Sequence, residues 1–280
     1  MYQELDVETH RAPGPSTLDA MTELPRVFLE ASALAYLWPL LARSPRGDGH
    51  PVLVLPGFTA GDESTGILRR FLARLGYDAR PWGLGQNTGT PALQEQLYAA
   101  FERLARDAGA PISLVGQSLG GVYARELARR FPESVRQVIT LGSPFASRSP
   151  STTNALVSRL FQYLSGMSQD EMRDYMLGFA AAPPPVPSTA IYSKADGVVH
   201  WSSCLEYAGD RSENIEVLGS HSGMAMNPLV LHVIADRLAQ PAAGWRPFQR
   251  RAGCRSLLYP TPEPTTDPAA MKGGETACAN

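Results

Sequence analysis

The stretch "ISLVGQSLGG", residues 112–121, is an apolar run that ends in a serine between two glycines. The apolar start predicts a buried strand and the segment at 119–131 predicts a helix, so Ser118 lies at the turn between them. A sharp turn from strand to helix strains its middle residue and needs small neighbours, which Gly116 and Gly120 provide. We therefore expect the Ser118 hydroxyl to be presented as a nucleophile at the carboxyl end of the strand.

The same alternation of strand and helix continues on both sides of this turn. "PVLVLPGF" (51–58) is a continuous apolar run, which is typical of a parallel strand covered on both faces. The order of elements predicts an α/β fold with a mostly parallel sheet of about six strands and helices on both faces. The predicted strands lie at 51–58, 78–85, 111–118, 136–145, 188–197 and 214–221, and the predicted helices at 63–76, from Pro91 onward, 119–131 and 222–240.

Changes in this pattern divide the chain into regions. The 280 residues, 44% of them hydrophobic, are enough for one large α/β domain. The tail is expected to be irregular and to be held by Trp245 and Phe248. We expect an N-terminal helical leader at 1–49, an α/β core at 50–146 and 188–240, a small helical cap inserted at 147–187, and a Pro- and Gly-rich C-terminal tail at 241–280.

Composition excludes several classes of protein. The net charge is −2 and the arginines are scattered, so we expect no nucleic-acid partner. The three cysteines are too few and too irregularly spaced for a disulfide framework or a zinc site, and they favour a reducing compartment. The first residues include acids and lack an apolar core, which is not the pattern of a secretory signal, so we expect a cytoplasmic protein.

One apolar segment precedes the first strand. "VFLEASALAYLWPLLA" (27–42) has Glu30 as its only charge. The segment is too short to span a bilayer and it contains Pro39. We expect a helix that packs against the edge of the main domain; the alternative is a weak contact with a membrane surface or a second copy.

A serine hydroxyl is a poor nucleophile near neutral pH, so it needs a base, which should be a histidine. His221 in "LGSHSGM" directly follows the last predicted strand, at the end of the sheet where open α/β sheets place their sites. His200 lies in a polar loop and is the alternative. His10, His50 and His232 lie in the leader, before the first strand and within the last helix.

The base needs an acid that orients it, and Asp196 in "YSKADGVVHW" directly follows a predicted strand. Asp196 would accept the Nδ1 proton of His221 and stabilise the imidazolium that forms. Four other acids are alternatives, although none follows the end of a strand: Asp170, Asp174, Asp210 and Glu213.

The oxyanion of an acyl-transfer reaction needs two N–H donors. The backbone N–H of Leu119 lies at the start of the helix that follows the serine. In "LPGFTAG", the turn at Pro56 and Gly57 can direct the N–H of Phe58 toward the same place. The alternative is an ordinary turn from strand to loop.

The insertion at 147–187 breaks the strand–helix alternation. It contains two segments with apolar residues at helical spacing, and the second begins with a capping box from Ser168 to Glu171. Both ends of the insertion join the catalytic rim, so we expect it to cap Ser118; the alternative is that its apolar faces pack on the body of the protein. The cap predicts an acyl-binding cleft formed by Leu160, Phe161, Leu164, Met172, Met176 and Phe179.

The motifs "LPGF", "GQSLGG", "YSKADGVVHW" and "GSHSGM", with Ser, Asp and His in this order, resemble the α/β-hydrolase superfamily and its bacterial lipase- and esterase-like members. The resemblance covers residues 50–240, and "WGLGQNTG" (82–89) is similar to a loop of the bacterial relatives. Gln117 stands where lipases often carry histidine. Strong counterparts of the first two strands of that fold are missing before residue 50, so the N-terminal helix is expected to cover an exposed edge of the sheet.

The resemblance implies a carboxylic-ester hydrolase that forms an acyl-enzyme on Ser118 and uses a small-molecule or lipid ester as substrate. It implies no metal and no organic cofactor. An acyltransferase would use the same acyl-enzyme with an alcohol or thiol as acceptor. A non-catalytic binding protein on the same fold would be favoured if the serine, the acid or the base of the catalytic triad were missing, and the sequence has a candidate for each.

Overall fold

The structure is a computed structural model. It describes residues 14–146, 153, 155–168, 171, 182–207, 209–241, 244–250, 255–263 and 265. The strands in these ranges are β1 (Pro51–Leu55), β2 (Asp78–Pro81), β3 (Ile112–Gln117), β4 (Val135–Leu141), β5 (Ser188–Tyr192) and β6 (Ser212–Glu216). The helices are α1 (Thr17–Leu41), α2 (Gly66–Leu75), α3 (Pro91–Ala108), α4 (Leu119–Arg130), α5 (Ala155–Ser165), α6 (Pro228–Leu238) and α7 (Arg255–Leu258).

The six strands form one sheet in the order β2-β1-β3-β4-β5-β6, and every neighbouring pair is parallel. This confirms the predicted α/β fold and its parallel sheet of six strands. In a parallel sheet the carboxyl ends of all strands meet at one edge. The loops that follow β1, β3, β4, β5 and β6 therefore share that edge, and they carry the predicted site residues.

Successive residues of β1 enter different apolar clusters. Val52 and Val54 belong to a cluster that includes side chains of α1, α2 and α6. Leu53 and Leu55 belong to a second cluster, together with side chains of α3 and α4. Since the side chains of a strand alternate between its faces, a strand covered on both faces must be apolar throughout, as the sequence of β1 is.

Several elements are shorter than the sequence pattern predicts. β4 ends at Leu141 rather than at residue 145, because Gly142 with φ 54° turns the chain away from the sheet. The last helix begins only at Pro228, where Asn227 caps it by accepting the N–H of Leu229. The segment before it forms a 3-10 turn at Met224–Met226. The shortened strands lengthen the loops at the carboxyl edge of the sheet.

The N-terminal helix is longer than predicted and lies elsewhere. α1 has 25 residues and begins after Ser16, whose side chain accepts the N–H of Asp19. The expectation that it covers a strand edge is wrong, because α1 packs mainly against α6 and the turn at Met224–Met226. Leu34 and Leu41 enter the apolar cluster on that face of the sheet. Among the described residues, the structure has no helix with the length and apolarity needed to cross a membrane.

The insertion and the tail are described in part. The predicted capping box is present, because Glu171 accepts the Ser168 N–H and donates its own N–H to the Ser168 hydroxyl. Met172, Met176 and Phe179 lie outside the described residues. In the tail, Phe248 is buried as expected and Trp245 is half-buried.

Candidate active site

Ser118 occupies a strained turn between β3 and α4. Its φ is 51° and its ψ is −123°, and Thr59 is the one other described non-glycine residue with a positive φ. A Cβ atom on Gly116 would lie 2.3 Å from the carbonyl oxygen of Gly120, and a Cβ on Gly120 would lie 2.5 Å from the carbonyl oxygen of Leu55. Both glycines are therefore required, and the surrounding backbone holds the serine in a conformation that L residues rarely adopt.

Ser118 is the N-cap of α4, yet its side chain makes no capping hydrogen bond. Its backbone N–H donates to the carbonyl of Leu141 over 2.8 Å, which ties the turn to β4. Within the described chain the hydroxyl has no hydrogen-bond partner. The hydrogen bond between a nucleophilic serine and its histidine is often long or poorly aligned without substrate and tightens only when substrate binds.

Asp196 and His221 form a hydrogen-bonded pair. The Nδ1 of His221 donates to Oδ2 of Asp196 over 2.6 Å. The other carboxylate oxygen accepts the backbone N–H groups of Val198 and Val199 over 2.9 Å and 2.8 Å. Because Asp196 is 3% exposed and both its oxygens are bonded, it is fixed in place and can orient the imidazole.

The pKa of His221 lies above its ordinary value. Burial alone would lower this pKa, but the negative charge of Asp196 and its hydrogen bond to the ring raise it more. The charge of Glu23 raises it further by a smaller amount. A histidine acts as a base only when it is neutral, so the pair is expected to work above the raised pKa.

Asp196 and His221 lie against the end of β4, and His221 also contacts the residue before Ser118. The side-chain Nε2 of Gln117, the residue before the serine, donates to the carbonyl oxygen of His221 over 2.9 Å. A Cβ atom on Gly142 would lie 3.0 Å from Oδ2 of Asp196 and 3.1 Å from Nδ1 of His221, so a larger residue would displace the pair. Sequence reasoning treated Gln117 as a departure from the lipase pattern and missed that it binds the backbone of His221.

The turn after β1 lies against the serine. A Cβ atom on Gly57 would be 3.3 Å from the Cβ of Ser118. Thr59 follows with a φ of 63°. Within the described ranges, the backbone N–H groups of Phe58 and Leu119 donate to no protein acceptor. Neither N–H group is engaged within the described part of the protein, and their role as oxyanion donors stays a prediction.

Asn87 holds this turn from the opposite side, and sequence reasoning did not identify it. Its Nδ2 donates to the carbonyl of Pro56 over 3.0 Å. Its backbone N–H donates to the carbonyl of Ala60 over 2.9 Å, and its carbonyl accepts the N–H of Thr59 over 2.8 Å. Its side chain is fully buried. The one signal in the sequence was the resemblance of "WGLGQNTG" to a loop of lipase-like proteins.

Helix α5 of the insertion contacts the turn after β1. The rings of Phe161 and Phe58 have centroids 4.9 Å apart, and Phe161 is 8% exposed. Thr153, near the start of the insertion, pairs with Val199 in an antiparallel bridge. Of the three predicted cleft residues that the structure describes, Phe161 reaches the site, whereas Leu160 and Leu164 are 42% and 37% exposed.

His200 and His232, which the structure describes, make their contacts elsewhere. His200 caps the turn at Trp201–Cys204, and its Nδ1 lies 2.8 Å from the hydroxyl of Ser202. Burial lowers the pKa of His200. His232 lies in α6 beside the rings of Phe248 and Tyr259. His10 lies outside the described residues.

The two alternative acids that the structure describes do not contact His221. Glu213 accepts hydrogen bonds from the guanidinium of Arg237 over 2.7 Å and from the N–H of Phe248 over 2.8 Å. Asp210 is exposed. Asp170 and Asp174 lie outside the described residues. Asp196 is therefore the one described candidate that contacts His221.

A second Ser–His–Asp chain of hydrogen bonds lies at the opposite edge of the sheet. His50 Nε2 is 2.8 Å from the hydroxyl of Ser113, and His50 Nδ1 bonds to Asp48. Ser113 lies within β3 and is 0% exposed, so no substrate can reach it. Burial lowers the pKa of His50, opposite to the direction at His221. A chain of hydrogen bonds is therefore not enough to define an active site.

The described residues include one cysteine, and its side chain is buried. Cys204 is free and buried, and burial raises the pKa of its thiol. Cys254 and Cys278 lie outside the described residues. Among the residues that are described, no three His, Cys, Asp or Glu side chains are grouped so that they could hold a metal ion.

Comparisons with known proteins concern the fold. No protein-family model matches the sequence, and no curated protein matches it significantly. Among solved structures, lipase B of Aspergillus fumigatus matches with a TM-score of 0.53 and 17% identity over 69% of this chain and 52% of that one. A monoacylglycerol lipase of Paleococcus ferrophilus matches with a TM-score of 0.50 and 14% identity over 67% of this chain and 96% of that one.

The mouse α/β hydrolase domain-containing protein 10 matches with a TM-score of 0.50 and 19% identity over 69% of this chain and 91% of that one. These identities are low, so the similarity concerns the arrangement of strands and helices. That arrangement, with a strained serine after the third strand, agrees with the resemblance seen in the motifs. The chain therefore has the fold of the α/β-hydrolase superfamily.

Proposed function

We propose that this protein is a carboxylic-ester hydrolase that works through an acyl-enzyme on Ser118. One observation carries the proposal. The strained serine at the start of α4 and the hydrogen-bonded pair of Asp196 and His221 lie at the same edge of the sheet. This combination is the one that activates a serine hydroxyl for acyl transfer.

In the first half of the reaction, neutral His221 accepts the proton of the Ser118 hydroxyl while Oγ attacks the ester carbonyl. The oxyanion accepts hydrogen bonds from the N–H groups of Phe58 and Leu119, each of which contributes about 3–4 kcal/mol. The alkoxide leaves with the proton from His221. Asp196 stabilises the imidazolium while it carries that proton.

In the second half, His221 takes a proton from water, and the resulting hydroxide attacks the acyl-serine carbonyl. The tetrahedral intermediate collapses, the acid is released, and the proton returns to Oγ of Ser118. The raised pKa of His221 makes it a stronger base, at the cost of activity at low pH.

An apolar acyl chain fits the surroundings of the serine. Leu119 is buried in the apolar cluster that also contains Phe161, and Phe58 packs against that cluster. The neighbours from Aspergillus fumigatus and Paleococcus ferrophilus are named as lipases, and the similarity to them is one of fold. We therefore assign esters with apolar acyl groups as the substrate class.

The test is labelling by a fluorophosphonate, combined with a series of p-nitrophenyl esters from acetate to palmitate. Ser118→Ala should lose both labelling and hydrolysis and remain folded, because alanine fits the same turn. Ser113→Ala is the matched control, since Ser113 also bonds to a histidine but is buried, and it should keep both. Equal labelling of Ser118→Ala and the wild type would refute the assignment. Transfer of most acyl groups to an added alcohol would instead indicate an acyltransferase on the same residues.

A further inference from the structure

Helix α1 places charged side chains against the protein interior. Glu23, Arg26 and Glu30 follow one another at helical spacing, so they lie on one face. Glu23 is 7% exposed and Glu30 is 9% exposed. Burying a carboxylate is unfavourable unless it is hydrogen bonded, so each of these side chains needs partners.

Glu23 finds its partners beside both members of the acid–base pair. Its Oε1 accepts the backbone N–H of Ser222 over 2.8 Å. Its Oε2 accepts the backbone N–H of Gly197 over 3.3 Å. Gly197 directly follows Asp196, and Ser222 directly follows His221. One carboxylate thus binds the two loops at the residues next to the acid and the base.

The neighbouring side chains of α1 bind the same two loops. Arg26 donates to the carbonyl of Ala195 and, over 3.3 Å, to the carbonyl of Gly219. Glu30 accepts the N–H of Ser220 over 2.5 Å and its hydroxyl over 2.9 Å. Arg26 therefore also spans both loops, whereas Glu30 binds only the loop that carries the base.

Glycines in these loops let the helix approach. A Cβ atom on Gly197 would lie 2.5 Å from the carbonyl oxygen of Asp19 at the start of α1. A Cβ on Gly223 would lie 1.6 Å from Oε2 of Glu30. Real Cβ atoms do not come so close, so both loops are built to receive α1.

We propose that Glu23 is a positioning residue, which fixes Asp196 and His221 relative to each other by binding the backbone next to each. This inference rests on the proposed ester hydrolysis. Glu23 bonds to backbone groups and not to the imidazole, so it acts through the two loops. A misplacement of about 1 Å can cost about 100-fold in rate, which makes such a constraint consequential.

Glu23 also has an electrostatic signature that a purely structural residue lacks. Two groups raise the pKa of His221 by their charge, first Asp196 and then Glu23. Arg26 lies 3.1 Å from Oε2 of Glu23 and partly balances its charge, and Glu30 lies on the same helix face. Removing the charge of Glu23 should lower the pKa of His221, so the acid limb of the activity profile should move to lower pH.

The decisive variant is Glu23→Gln, which keeps the shape but has one acceptor oxygen for two N–H donors. We expect kcat on p-nitrophenyl butyrate to fall about 10- to 100-fold with KM within about threefold, and the acid limb of kcat/KM to move to lower pH. Glu102→Gln, on the exposed surface of α3, is the neutral control. Glu30→Gln is the matched buried control; it should lower the melting temperature and leave the acid limb in place.

The outcomes separate this inference from the proposed function. A wild type that neither hydrolyses esters nor reacts with fluorophosphonate refutes the function itself. An active wild type with unchanged kcat and acid limb in Glu23→Gln overturns the positioning role. Equal kcat losses in Glu23→Gln and Glu30→Gln, without a pH shift, would mean that α1 only supports the fold. If Glu23→Gln does not fold, Glu23→Asp is the deciding variant, because it keeps the negative charge but has a shorter side chain. We then expect kcat to fall while the acid limb of the pH profile stays in place. A kcat equal to that of the wild type would overturn the proposal.

Discussion

Replacing Asn87 with alanine is expected to slow ester hydrolysis while the protein stays folded. The change removes two side-chain hydrogen bonds, one to the carbonyl of Pro56 over 3.0 Å and one from the N–H of Gly89 over 3.2 Å. The site is fully buried, and each unpaired group costs about 1–3 kcal/mol. The free energy of unfolding should therefore fall by about 2–6 kcal/mol. Domains commonly possess about 5–15 kcal/mol, so we expect the variant to stay folded.

The expected effect on rate follows from the turn that Asn87 holds. Losing an oxyanion donor outright costs about 100- to 1000-fold in kcat. In Asn87→Ala the backbone bonds from Thr59 and to Ala60 remain, so the N–H of Phe58 should be loosened rather than lost. We therefore expect kcat to fall about 10- to 100-fold.

The assay compares kcat on p-nitrophenyl acetate with urea unfolding of the same samples. Gln86→Ala is the control, because the exposed side chain of Gln86 donates to the carbonyl of Thr59 in the same turn. It should change both quantities little. If Asn87→Ala loses stability but keeps kcat within about twofold of the wild type, the turn does not depend on Asn87 and the reasoning is wrong.

Three further predictions concern the pair, the insertion and the core. Asp196→Asn should lower kcat by about 10⁴-fold, because the wrong tautomer of the imidazole then faces the serine, while His200→Ala should cost far less; a larger loss in His200→Ala would mean that the base is wrongly assigned. Phe161→Ala should change the preferred ester length, at about 0.8 kcal/mol for each buried methylene, and leave acetate turnover within a few fold; reduced stability with an unchanged length profile would mean that the residue only packs. Arg125→Met should lower the free energy of unfolding, measured in urea, by about 3–5 kcal/mol, because it leaves the Glu206 carboxylate buried without its ion pair. Both side chains are 0% exposed. A loss below about 1 kcal/mol would contradict this account.

Local pattern was enough to predict the sheet and the position of the candidate nucleophile. A strand buried on both faces must be apolar at every residue, and "PVLVLPGF" shows this directly. Ser118, Asp196 and His221 each follow a strand of the parallel sheet, so their position at one edge follows from parallel topology. These properties depend on neighbours within a few residues, which a sequence displays.

The contacts between distant segments could not be predicted in this way. Glu30 was visible as the one charge in an apolar segment, but its partner Ser220 is 190 residues away and nothing local indicates it. Asn87 binds the backbone of Pro56 and Ala60, which any sequence could offer. The predicted strand at 136–145 was too long because Phe145 stays apolar in the loop, where it packs in the core.

The strained backbone of Ser118 affects which substitutions would accumulate if ester hydrolysis were no longer under selection. A serine at φ 51° costs about 1–3 kcal/mol that a glycine would not pay, since glycine adopts positive φ freely. Ser118→Gly should therefore raise the melting temperature while it abolishes activity. In a duplicated gene no longer selected for hydrolysis, selection for stability alone would favour this replacement, so Ser118 would be among the residues most readily lost.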